Sequence, residues 1–169
     1  MSARARGQTV AVEVLVCGSQ DRADDGAAIA ACAVLGAGLP VDVRLRIVGQ
    51  LDVDHLVSIA PDAAIVIVDA ANGIEPGVVL ERPLAELTDP GTDQFQSSHA
   101  LSIPDTVALA EAIVGHRLRG RTVVIGGAEF GLGRPISPVV AAALPTLSRA
   151  VTNAIEHARL EDGQSRGGH

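Results

Sequence analysis

Aromatic residues are almost missing from this chain: two Phe, no Tyr and no Trp among 169 residues. Stacking of bases on aromatic rings, a common way to grip single-stranded nucleic acid, has almost nothing to work with. Lysine is missing altogether, and all 13 basic residues are arginine. That removes a lysine nucleophile, a Schiff base and the lysine of a phosphate-binding loop. The net charge of -7 argues against a phosphate backbone as partner and is compatible with a cation or a basic peptide. There are only two cysteines, Cys17 and Cys32, with no Cys-x-x-Cys pair. A thiolate zinc site is therefore not expected, and both read as small buried hydrophobes. No apolar run approaches the ~20 residues of a membrane span, and no signal peptide is recognisable. The expectation is a soluble cytoplasmic protein with no membrane and no nucleic-acid partner.

Hydrophobic residues make up 47% of the chain, so a core of Ala, Val, Leu and Ile is available. The length suits one domain over residues 1–169, with loose tails at about 1–8 and 161–169. Val10 to Cys17, interrupted only by Glu13, and the wholly apolar Ala63 to Val68 read as strands buried on both faces, as in a parallel α/β sheet. Val41 to Val48 alternates like a half-buried edge strand. Val78 to Leu80 reads as a short strand antiparallel to the rest, and Thr122 to Ile125 as a fifth. Helices are expected over about Asp24 to Leu35, with Asp24 as its cap, and over about Asp52 to Ser58. Two more should start near Pro104 and at Ser137-Pro138, the last reaching about Arg159. Pro83 to Gln96 is long and polar for a plain connection, and such stretches are often functional.

Ligands of parallel α/β sheets bind beyond the carboxyl ends of the strands. Asp25, in the turn after the first strand, and Asp69, at the end of Ala63 to Val68, both fall on that rim. His99 follows Ser97-Ser98 in the long polar connection. Two carboxylates and an imidazole suit a borderline divalent ion such as nickel, zinc or iron, and serve equally as an acid/base trio without metal. Each has a plainer reading: Asp25 as a second helix-capping acid, Asp69 as a turn former, His99 as a solvated loop residue.

Four motifs in register narrow the choice. Cys17-Gly18-Ser19 running to Asp24-Asp25-Gly26 resembles the first motif of the NiFe-hydrogenase maturation endopeptidases. Ile65 to Ala70, continuing to Pro76-Gly77, resembles the second, and Ser97-Ser98-His99 the third. Ile125-Gly126-Gly127 through Ile136-Ser137-Pro138 resembles the closing strand, loop and helix. The likeness spans roughly Val10 to Ile155. It departs at Ser19, where the family usually has Asn, at Ala28, where a Gly is usual, and at Gln50, where the second of two glycines is common. Gln tolerates positive φ poorly, so Gln50 implies a less open loop.

The resemblance implies a three-layer α/β/α sandwich with a mostly parallel, mixed sheet of about five strands, phosphorylase/hydrolase-like. It also implies an aspartate-dependent endopeptidase that removes the C-terminal extension from the large-subunit precursor of a NiFe hydrogenase. Asp25, Asp69 and His99 would be both the catalytic and the metal-contacting residues. No cofactor would be resident, because nickel arrives with the substrate, and a monomer is expected. One rival is a non-catalytic nickel-sensing maturation chaperone using the same trio. Another is a small-molecule binding module, but Gly18 lacks the spaced glycines of a dinucleotide loop, and Asp24-Asp25 would repel phosphate.

Overall fold

The computed structural model describes residues 9–87 and 101–166. Five strands form one sheet: β1 (Val12–Cys17), β2 (Val43–Gly49), β3 (Ala64–Ala71), β4 (Val79–Pro83) and β5 (Gly120–Gly126). Their order is β2-β1-β3-β5-β4. All neighbours run parallel except β4, which is antiparallel to β5. This is the mixed, mostly parallel sheet expected from the sequence. β1 and β3 are buried at every position, which is why their sequences carry almost no alternation.

Helices cover both faces. α1 (Ala27–Ala33) and α5 (Pro138–Arg166) pack on Val12, Val14, Val16, Val66 and Val68. On the other side, α2 (Val53–Val57) and α4 (Ile103–Val114) bring Leu56, Val107 and Ala110 against Leu15, Ile65 and Ile67. A short α3 (Leu84–Leu87) follows β4. Each fully buried Val, Leu or Ile side chain among these contributes about 1.5–3 kcal/mol through removal from water. Local signals set the helix ends. Ser102 accepts the Asp105 N–H at the start of α4, Pro104 sits in its first turn, and left-handed Gly115 closes it. In α2, Asp52 accepts the Asp54 N–H and donates its own N–H to His55 Nδ1, so His55 is a capping residue.

Several boundaries differ from the sequence reading. The first helix is shorter than Asp24 to Leu35: a 3-10 turn (Ala23–Gly26) precedes α1, and a second (Gly36–Gly38) follows it. β3 continues past Val68 because Asp69, Ala70 and Ala71 find register partners in Val124, Ile125 and Gly126 of β5. α5 runs to Arg166, so residues 161–166 continue a helix rather than forming a loose tail. Gly49, at φ 68, takes the left-handed conformation at the end of β2, and Gln50 is not asked to.

Candidate active site

The chain leaves β1 for β2 on one side and returns to β3 on the other. The cleft above β1 and β3 is therefore the switch point where α/β sheets bind ligands. Val16 is in register with Val68, so Cys17 and Asp69 follow side by side at the carboxyl end. Asp69 lies on the α2/α4 face and is only 1% exposed. Its Oδ1 accepts the Ala70 N–H at 2.8 Å. Its Oδ2 is buried with no hydrogen-bond partner among the described residues.

Asp25 comes from the 3-10 turn Ala23–Gly26 and is 4% exposed. Gly18 lets it come close: at φ 113, a Cβ on Gly18 would stand 1.9 Å from the Asp25 carbonyl oxygen. Only glycine fits there. Asp25 Oδ1 is also buried and without a partner among the described residues. Two orphaned carboxylate oxygens thus share one switch point. Burying a polar atom without a partner is costly, and either oxygen has a free lone pair for a donor proton or a positive charge.

The electrostatics agree. Burial, less the Ala70 hydrogen bond and helped by the negative charge of Asp25, pushes the Asp69 carboxyl up to about 7. A carboxyl there can take or give a proton near neutrality. Burial, followed by the charges of Asp69 and Asp25, raises the Cys17 thiol well above its ordinary value. Cys17 is therefore a neutral buried thiol, not a thiolate nucleophile. Burial likewise pushes Cys32 to about 12, and both cysteines are free.

Asp24 overturns its expected role. It does not cap its own helix, whose start carries no side-chain cap. Instead Oδ2 accepts the N–H groups of Ala128 at 2.8 Å and Glu129 at 2.9 Å and the Ser137 hydroxyl at 2.9 Å, while Oδ1 accepts the Ser137 N–H at 2.7 Å. Burial works to raise its carboxyl, but the bonds from Ser137, Ala128 and Glu129 prevail and hold it below the ordinary range. An Asp-Asp doublet does not reveal which acid faces a ligand and which faces the protein. The capping partner lies more than a hundred residues away.

His99 lies outside the described residues, as does most of the stretch from Pro83 to Gln96 in which the sequence placed a functional connection. Among the described residues no three His, Cys, Asp or Glu side chains are grouped closely enough to hold an ion. The structure therefore brings together two members of the expected trio, Asp25 and Asp69. Of the remaining histidines, His157 lies 3.4 Å from Glu81, and His116 lies beside the Arg117 carbonyl; neither approaches the switch point.

Fold and site together define a class: a three-layer α/β protein with paired, unsatisfied acids at its switch point. No protein-family model matches the chain, and no curated protein sequence does. Solved structures do. The NiFe hydrogenase maturation protease HybD from Thermococcus kodakarensis matches with a TM-score of 0.67 and 26% identity, over 87% of this chain and 98% of that one. The hydrogenase maturating endopeptidase HybD from E. coli matches with a TM-score of 0.69 and 18% identity, over 87% and 93%. The NiFe hydrogenase maturation protease HycI from Thermococcus kodakarensis KOD1 gives 0.65 and 18%, over 89% and 95%. The matches at 18% carry the fold alone. Together with the 26% match, they make this chain similar in structure to NiFe-hydrogenase maturation proteases.

Proposed function

We propose that this protein is an endopeptidase that removes the C-terminal extension from the large-subunit precursor of a NiFe hydrogenase after nickel has been inserted. The observation that carries the proposal is the pair of buried oxygens, Asp25 Oδ1 and Asp69 Oδ2, that have no hydrogen-bond partner among the described residues at the switch point. Structural likeness to proteins named as hydrogenase maturation proteases supports a hydrolase. On this reading nickel is part of the substrate and not a resident cofactor. Asp25, Asp69 and His99 contact it, and its positive charge satisfies the orphaned oxygens. Before the nickel arrives burial holds the Asp69 carboxyl up near 7, and the positive charge of the metal would favour its ionised form. The neutral Cys17 thiol leaves water, not a covalent sulfur intermediate, as the nucleophile.

No helix among the described residues is long and apolar enough to cross a membrane. A cytoplasmic monomer meeting its precursor directly completes the proposal. Incubation with nickel-loaded and nickel-free precursor tests it by mass spectrometry. The nickel-loaded form should lose its extension and the nickel-free form should not. Nickel-dependent binding with the precursor mass unchanged would instead mark a sensing chaperone.

A further inference from the structure

Asp24 is buried, charged and adjacent to Asp25, and the chemistry proposed above makes no use of it. Its carboxylate gathers four donors from a single distant segment, the loop from Ala128 to Ser137 that leads into α5. The backbone repeats the connection. The Asp24 N–H donates to the Glu129 carbonyl, the Ala23 N–H to the Arg134 carbonyl, and the Gly133 N–H to the Asp21 carbonyl, at 3.0, 3.1 and 2.7 Å. Gly127 permits the approach: a Cβ there would meet the Phe130 ring at 2.4 Å and the Asp24 Cβ at 3.2 Å. Ala23, buried between these contacts, is held at φ 50, the only positive φ outside glycine among the described residues. Such a conformation costs about 1–3 kcal/mol and persists only where the surroundings over-determine it.

Asp25 is thus gripped from two sides. Gly18 of the β1 turn lies against its carbonyl, and Asp24 ties the preceding residue to the loop after β5. We infer that Asp24 is the positioning residue of the site: by locking the Ala23–Gly26 turn to the Ala128–Ser137 loop, it fixes where Asp25 presents its free oxygen. Its carboxylate touches no substrate and acts only through Asp25. The inference rests on the proposed peptidase reading for its activity measurement but not for its structural one. A misplacement of about 1 Å in such a group can cost about 100-fold in rate.

The test compares Asp24→Asn with Ser148→Ala in the full chain. Ser148 donates to the Ala31 carbonyl at 3.0 Å, tying α5 to α1 away from the site. Both changes should lower the melting temperature. Well below it, with nickel-loaded precursor as substrate, Asp24→Asn should lose about 100-fold in kcat with KM within about twofold, while Ser148→Ala keeps both. If Asp24→Asn does not fold, Ser137→Ala, which removes one donor, should show a smaller kcat loss with the same unchanged KM. A purely structural role predicts normal kcat per folded molecule in every variant, and that result would overturn the inference. Wild type that leaves the precursor intact would sink the peptidase reading instead. Amide hydrogen exchange then decides the inference without substrate. Residues 18–26 should exchange faster in Asp24→Asn, or in Ser137→Ala if that is the folded variant, than in Ser148→Ala, and equal exchange would refute the inference.

Discussion

Asp24 and Asp69 are both almost wholly buried carboxylates at one end of the same sheet, and their surroundings have driven them in opposite directions. Asp24 has four donors on two oxygens, and its carboxyl is held below the usual range. Among the described residues Asp69 has one donor, an oxygen without a hydrogen-bond partner and a negative neighbour, and its carboxyl sits near 7. Burial raises both; hydrogen bonding decides the outcome. An acid with its acceptors filled is committed to the fold. One with an acceptor left empty among the described residues is free to take a proton or a further donor.

The sharpest way to break this contrast is to remove the acids on the empty side. Asp25→Ala or Asp69→Ala should reduce precursor processing by about 10²–10⁴-fold, as expected for acid–base or charge-contacting groups, with an unchanged circular dichroism spectrum. His99→Ala should do the same. Normal processing by any one of them would remove it from the site.

On the filled side the large effect should be on stability. Asp24→Ala strands the Ala128, Glu129 and Ser137 N–H groups, and each buried unsatisfied donor costs about 1–3 kcal/mol. A loss of about 3 kcal/mol or more in urea unfolding is expected, and a loss below about 1 kcal/mol would contradict the network.

Stability against pH separates the two acids next. Native Asp69 keeps its proton to about 7, while the unfolded chain releases it near 3.8. Between those values the unfolded state holds fewer protons, so Asp69 makes stability fall as the pH rises, with no further change above the window. Asp69→Asn should flatten that decline and melt higher than wild type above pH 7. Asp24 works in reverse: its contribution is complete above about pH 4 and is lost as the pH falls through its depressed native value. Melting curves across pH 3–8 would show both slopes. The smallest change expected is for Ser137→Ala, which deletes one hydroxyl donor to Asp24 and should cost about 1 kcal/mol.

The sheet was legible because its central strands are buried on both faces, and continuous apolar runs such as Ile65 to Val68 have few other uses. The antiparallel β4 was legible from the turn signals before it. Boundaries were less so: nothing in Asp69-Ala70-Ala71 announces a strand, and it becomes one because β5 supplies partners. Glu13 read as an interruption of β1. It is buried because Arg44 and Arg46 of neighbouring β2 reach it, and pairing across strands is invisible along one. Asp25 and Asp69 were singled out through their place beyond the carboxyl ends of β1 and β3. The work of Asp24 was missed for the converse reason, since local capping rules search the next few residues and its partners begin at Ala128.

The position of β1 and β3 within the sheet has a consequence for how this protein can diverge. Asp69 stands on interior β3 and Asp25 on the turn that follows interior β1, while β2 and β4 form the two borders. Insertions and rewritten loops at those borders leave the distance between Asp25 and Asp69 untouched. A lineage can therefore rewrite the margins of the sheet while inheriting the same pair of buried acids unchanged.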